Sequence, residues 1–326
     1  MAQWMSPHGR SLPVVGRRTL VMGILNMTPD SFSDGGQLRD LDAVLARAEA
    51  MILAGADVLD IGGESTRPGG APVAEADERA RVLPAIEAIR RRFPAVAMSV
   101  DTFKPTVAAA AIEAGADIVN DVWGFTHGME VATRAQAIAA LGTGEVIPTC
   151  AASAMAAVVA RLGCPAILMH NRPDREYRAF WPDVLNDLRL SLALAERAGV
   201  AAHQLWLDPG FGFAKSPAQN LEVIKHLERI VALGFPVLVG TSRKSTLGKV
   251  LGGAAVDDRM EGSAATAVWA IQRGAAMVRV HDVATMKRIA VVTDAIAAGE
   301  AWSEDGSQKP EVGSRKPEAR SQKPEA

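Results

Sequence analysis

The sequence has only two cysteines, Cys150 and Cys164, a single tyrosine, and aromatic residues at just 5%. Two thiols with no metal-ligand spacing around them provide neither a disulfide framework nor a zinc site, and a reducing cytoplasm is the compartment they imply. A surplus of one charge is also missing. The 35 basic and 37 acidic residues leave a formal net charge of −2, so no global field attracts nucleic acid or an acidic membrane, and any anion must be met locally. No apolar run nears the roughly 18 to 20 residues of a membrane span, and Met1 to Arg18 lack the apolar stretch of a signal peptide. Residues 1–18 therefore read as an N-terminal extension without a targeting signal.

What is present is a repeat. Short Val/Ile/Leu/Met-rich runs ending in polar residues occur at 20–26, 57–61, 96–101, 117–121, 165–170, 204–208, 236–241 and 276–281. Between them lie stretches of helical period, such as Leu41 to Leu53 and Val107 to Glu113, often closed by glycine. The link Ala-Gly-Ala-Asp occurs at 54–57 and again at 114–117, each time where helix gives way to strand. Near-continuous apolar strands alternating with helices predict a parallel sheet covered by helices. Eight repeats favour an α/β fold of the (β/α)8 TIM-barrel type, a single domain over 19–298, with a doubly wound sheet as the rival.

Two segments break the rhythm. Residues 127–159 are about twice as long as one crossover helix needs and are divided by Gly142, Gly144 and Pro148, which predicts an insertion or a second helix. From 299 to 326 the chain turns polar and repeats Lys-Pro-Glu at 309, 316 and 323 with no apolar seam, the composition of a disordered tail.

The chemistry collects at the C-terminal ends of the predicted strands, where such folds keep it. The first strand ends at Asn26 and enters a polar loop containing Phe32 and Asp34. The second runs into Asp60-Ile-Gly-Gly-Glu-Ser-Thr-Arg-Pro-Gly69, whose glycines permit close backbone approach and whose Arg67 offers a fork of donors, although a bland loop could have this content. Asp101 and Asn120 end neighbouring strands. Either alone reads as a helix cap; together they suit a fused heterocycle bearing both donors and acceptors. Asp208 precedes Gly210, Gly212 and Phe213, an aromatic that could stack on a flat ring. After strands seven and eight, Ser242, Lys244, Arg279 and His281 make an anion site by position and charge. Arg279 inside a barrel is costly unless it serves a ligand or pairs with an internal acid.

These motifs, from Asn-Met-Thr-Pro-Asp-Ser-Phe-Ser-Asp-Gly-Gly (26–36) through Asp-Pro-Gly-Phe-Gly-Phe (208–213) and Ser-Arg-Lys (242–244) to Val-Arg-Val-His-Asp (278–282), resemble the dihydropteroate synthase family in order and spacing from about residue 19 to 297. The resemblance implies condensation of 6-hydroxymethyl-7,8-dihydropterin diphosphate with 4-aminobenzoate in folate biosynthesis, with Mg²⁺ as cofactor, a homodimer as the assembly, and sulfonamides as inhibitors. By motif, Asp101, Asn120, Asp208 and Lys244 would hold the pterin edge, with Met169, Gly212 and Phe213 against its faces. Arg279 and His281 would bind the diphosphate and Asn26 would ligate Mg²⁺. Phe32, Asp34, Ser65, Thr66, Arg67 and Pro68 on two closing loops, with Lys244 and Ser245, would build the 4-aminobenzoate pocket. Asp101, Lys244, Arg279 and His281 are the expected catalytic set.

The pattern has departures. Asn171-Arg172-Pro173 stands where many relatives have Met-X-Gly, and Ala214 stands where glycine is usual. Among rival readings, a methyltetrahydrofolate-binding methyltransferase domain would lack the Ser-Thr-Arg-Pro loop and the basic groups for pyrophosphate. A class I aldolase would use Lys244 as a Schiff base, and a pterin-binding barrel without catalysis would keep the pocket alone.

Overall fold

The computed structural model describes residues 4–27, 37–64, 73–143 and 153–299. Among them are eight parallel strands: β1 Leu20–Asn26, β2 Val58–Gly62, β3 Ala97–Asp101, β4 Ile118–Asp121, β5 Ala166–Met169, β6 Leu205–Asp208, β7 Leu238–Val239 and β8 Met277–Val280. Their order, β6-β5-β4-β3-β2-β1-β8-β7, shows no central reversal. The remaining seam is bridged by the parallel contact Leu207 with Val237, where the Leu207 N–H donates to the Pro236 carbonyl at 2.9 Å. The sheet thus closes into a barrel, and the doubly wound alternative, which needs open edges and a switch point, falls away.

Helices α1 Gln37–Leu53, α2 Glu75–Arg92 and α3 Pro105–Glu113 follow the first three strands. After β4 come α4 Val131–Thr143 and α5 Ser153–Leu162, so this crossover carries two helices. The rest of the ring is α6 Phe180–Ala198, α7 Pro217–Lys225, α8 Glu228–Val231, α9 Ser245–Val250, α10 Met260–Gln272 and α11 Val283–Ala298. Local chemistry sets several ends. Gly55 and Gly115, in the two Ala-Gly-Ala-Asp links, take φ of 91° and 118°, a turn that a residue with a Cβ resists. Asp282 caps α11 by accepting the Thr285 N–H at 3.0 Å.

Strand alternation divides the core in two. Outward residues such as Val21, Leu59, Met98 and Leu168 pack under the helices. Inward residues at the N-terminal end, including Leu20, Val58, Ile118, Ile167, Trp206 and Met277, fill the barrel floor. Residues 4–18 seal that floor. Trp4 sits 4.7 Å from the Trp206 ring, and its indole N–H donates to the Pro13 carbonyl at 2.7 Å. Ser6 and Arg10 both donate to the buried Asp117 carboxylate, at 2.6 and 2.8 Å. With the floor closed by apolar side chains, ligands can enter only from the opposite end.

Candidate active site

At the C-terminal end the same alternation turns polar. The faces that carry Leu20, Val58, Ala97, Ile118 and Met277 inward at the floor carry Asn26, Asp60, Asp101, Asn120 and Arg279 inward at the mouth, because side chains repeat every second residue. Backbone register sets Asn26, Gly62, Asp101 and Asn120 at one level across four adjacent strands. A Cβ at Gly62 would lie 3.4 Å from Asp101 Cβ and 3.6 Å from Asn26 Oδ1, so the glycine leaves room where these side chains converge.

Arg279 is the centre of the arrangement. Its Nε donates to Asp60 Oδ2 at 2.5 Å and its Nη2 to Asp101 Oδ2 at 2.6 Å. Asp60 is fully buried and also accepts from Asn120 Nδ2 at 3.2 Å and from the Ser99 hydroxyl. Asp101 Oδ1 is buried and has no hydrogen-bond partner among the described residues. Burial pushes Asp101 up to about 7, against the pull of Arg279 and with the repulsion of Asp60. Burial disfavours the charge on Arg279, yet Asp60 and Asp101 hold its pKa above the usual value. Two carboxylates sharing one guanidinium leave one oxygen able to accept from a ligand donor.

The loop after β6 supplies the neighbouring wall. Asp208 Oδ1 accepts the Gly210 N–H at 2.7 Å, and burial pushes Asp208 up to about 6, opposed by that bond and by the Lys244 charge. Gly212 N–H donates to Asn220 Oδ1 at 2.7 Å. The aliphatic stem of Lys244 passes within 3.1 Å of where a Gly212 Cβ would stand, and its Nζ lies 4.1 Å above the Phe213 ring. Phe213 joins Met169 and Val122 in a small apolar cluster flanked by Phe103 and Trp123, a surface for one face of a planar ring.

A cavity of about 400 Å³ opens here. Asn26, Asp101, Gly212, Phe213, Ser242, Lys244, Ser245, Arg279 and His281 all line it. Ser242 Oγ accepts the His281 N–H at 3.2 Å and lies 3.0 Å from His281 Nδ1. Asn120, Asp208 and Met169 are buried in the surrounding walls. Lys244 does not end a strand as expected: it is the N-cap residue of α9, reached through residues 240–243 beyond the two-residue β7. Of the two readings of Arg279, the structure displays pairing with internal acids. Phe32, Asp34, Ser65, Thr66, Arg67 and Pro68 lie outside the described residues, as do 144–152 and the tail beyond 299.

Three residues of this region escaped sequence reasoning. Asp60 was hidden as part of a loop motif, although a carboxylate inside the apolar run Val-Leu-Asp-Ile-Gly is itself a signal of a buried partner. Lys215 and Asn220 also line the cavity, and nothing in their local sequence marks them.

The profile of the pterin binding enzyme family matches residues 22–281. The chain belongs to this family. Within it, the chain is 45% identical over 283 residues to a dihydropteroate synthase of Clostridium beijerinckii, covering 86% of this chain and 96% of that one. Among solved structures, a dihydropteroate synthase of Clostridium difficile, crystallised in the presence of pteroic acid, is similar with a TM-score of 0.77 and 38% identity, covering 87% of this chain and 99% of the other. The Xanthomonas albilineans dihydropteroate synthase with 4-aminobenzoic acid gives a TM-score of 0.75 and 40% identity, covering 86% and 94%. The eight-stranded closure agrees with the likeness to these solved structures. Among the described residues no helix is long and apolar enough to cross a membrane.

Proposed function

We propose that this chain is a dihydropteroate synthase of cytoplasmic folate biosynthesis, transferring the pterinylmethyl group of 6-hydroxymethyl-7,8-dihydropterin diphosphate to the amine of 4-aminobenzoate. The observation that carries this reading is the buried Asp101 Oδ1, without a partner among the described residues, in a residue that lines one cavity together with Lys244, Ser242 and His281. A buried acceptor sharing a pocket with an ammonium, an imidazole and a hydroxyl suits a ligand that carries both a donor-bearing ring and negative charge. In the transfer, the C–O bond between methylene and diphosphate breaks with its electron pair leaving on pyrophosphate. The amine lone pair forms the new C–N bond, and the amine proton passes to solvent.

Asp101, Asn120 and Asp208 would orient the pterin, and the carboxylates of Asp101 and Asp208 would favour positive charge developing on it. Phe213 and Met169 would bound its face. His281 and Ser242 would receive the diphosphate. Arg279 would add only its Nη1 edge, since Nε and Nη2 are committed to Asp60 and Asp101. Ser245, with Phe32, Asp34, Ser65, Thr66, Arg67 and Pro68, would form the 4-aminobenzoate pocket.

Mg²⁺ fits as a partner of the diphosphate. No cluster of three acidic, histidine or cysteine side chains that could cage it is present among the described residues, but Mg²⁺ is commonly held by one or two protein oxygens together with substrate phosphates. Asn26 Oδ1, facing the cavity, is such an oxygen. The bound ion would neutralise leaving-group charge. A homodimer is consistent with the exposed apolar side chains on α10 and α11, where Trp269, Val292 and Ile296 are 48%, 58% and 72% exposed.

A pyrophosphate-release assay tests the reading. Release from the pterin diphosphate is expected only when 4-aminobenzoate is added, and removal of Mg²⁺ by chelation is expected to lower it by at least about a hundredfold. Pterin binding without release would instead mark a binding protein of the same fold.

A further inference from the structure

Behind Phe213 lies a second polar cluster that the transfer chemistry leaves unused. Lys215 is buried, with its Nζ 2.7 Å from His170 Nδ1 and donating to the Gly210 and Phe213 carbonyls at 3.2 and 3.3 Å. Three acceptors around one nitrogen require three N–H donors, which the ammonium form supplies. His170 is also buried, and burial together with Lys215 holds its pKa down to about 3, so the ring is neutral. Its Nδ1 then accepts from Lys215 while Nε2 donates to Asp187 Oδ2 at 3.1 Å. Asp187, on α6, is anchored in turn by Arg134 of α4 at 2.9 Å and by Arg172 at 3.6 Å.

Two features connect this cluster to the pocket. The carbonyls gripped by Lys215 belong to the loop that presents Gly212 and Phe213. Lys215 also lines the same cavity and lies in the field of Asp208. The charged groups acting on Lys215 are Asp208 at the end of β6, Asp187 on α6 and Arg172 after β5; those acting on Asp208 are Lys244, Arg279 and Lys215. Burial pushes Lys215 down to about 7. The ammonium is therefore present at and below neutral pH, the range in which Asp208 titrates.

We propose that Lys215, oriented by His170 and Asp187, is a positioning residue that holds loop 209–213 against the pterin face and places a cation beside Asp208. This rests on the pterin reading of the pocket. Nearby positive charge favours the carboxylate, so its loss would make Asp208 take up a proton at higher pH and weaken a pterin that donates to the anion.

Calorimetric titration of the full chain with 6-hydroxymethyl-7,8-dihydropterin diphosphate between pH 5.5 and 8 tests the idea. Lys215→Met is expected to weaken binding about tenfold at neutral pH. The pH at which affinity falls should rise by about half a unit or more, while the KM for 4-aminobenzoate stays within about twofold. Lys215→Gln keeps two N–H donors without the charge, so it should recover part of the affinity but not the pH midpoint. If Lys215→Met does not fold, Lys215→Gln carries the same pH test. A loss of affinity uniform across pH, or equal rises in both KM values, overturns the proposal. A wild type that binds the pterin but releases no pyrophosphate overturns the transferase reading alone, because the binding midpoints still decide the role of Lys215. A wild type that binds no pterin overturns both.

Discussion

A guanidinium in a barrel lumen loses several kcal/mol of hydration unless carboxylates and hydrogen bonds replace the water. Asp60 and Asp101 do this for Arg279, and Ser99 and Asn120 satisfy Asp60 in turn. The unequal partnering of Asp101, with Oδ2 taken and Oδ1 open, is what would let this ion pair serve the proposed pterin site. Asp101→Asn is therefore expected to weaken pterin binding by about ten- to a hundredfold, the worth of a hydrogen bond to a charged acceptor, as read by calorimetry. The pH dependence has a definite sign. Asp101 and Asp208 sit near 7 and 6, raised by burial, so a ligand that donates to the carboxylates binds more weakly as pH falls through that window. Equal affinity at pH 8 and pH 5 would contradict the assignment.

At the scale of elements, the loop between β6 and α7 is held from several sides. Gly210 has φ 67°, and a Cβ there would stand 2.0 Å from the His170 carbonyl oxygen. Backbone of this loop is thus pressed against the residue that follows the neighbouring strand β5. Gly210→Ala is expected to destabilise the fold by about 3 kcal/mol or more in urea denaturation. Ala214, four residues on, also has positive φ, 46°, a conformation that favours the glycine expected there from the resemblance. Its carbonyl accepts from the Tyr177 hydroxyl at 2.9 Å. Ala214→Gly should change stability by less than about 1 kcal/mol, since relief of the backbone is offset by chain entropy. The departure at Asn171-Arg172 is likewise absorbed locally. Asn171 Nδ2 donates to the Val122 carbonyl at 3.1 Å, and the Arg172 guanidinium lies 4.6 Å from the Tyr177 ring.

Across the whole molecule, the two ends of the barrel have opposite chemistry. One is plugged by residues 4–18 and dry; the other is open and charged. Trp4 is 1% exposed and fills the lumen beside Trp206, far in sequence from every strand but β1. Trp4→Ala would leave a cavity under the site and is expected to cost about 3 to 5 kcal/mol, measured as a lower urea midpoint. A midpoint close to wild type would mean that the plug is dispensable and that the strands alone hold the floor.

Periodicity, strand count and turn residues were sufficient for the barrel, because each depends on local spacing that a one-dimensional reading can see. The alternation of Leu20, Met22, Ile24 and Asn26 already assigns Asn26 to the lumen once a barrel is assumed. Clustering at strand ends likewise made Asp101, Asn120, Asp208, Arg279 and His281 legible as a group. Which atoms meet was decided only by tertiary structure. Asp60 and Arg279 are 219 residues apart, and only closure of β1 between β2 and β8 brings them to hydrogen-bonding distance. Lys215 and His170 depend in the same way on the pairing of β5 with β6. The role of Arg279 turned on this. Its position and charge pointed to an anion, whereas partner distances, which no spacing along the chain encodes, gave two of its donor nitrogens to carboxylates.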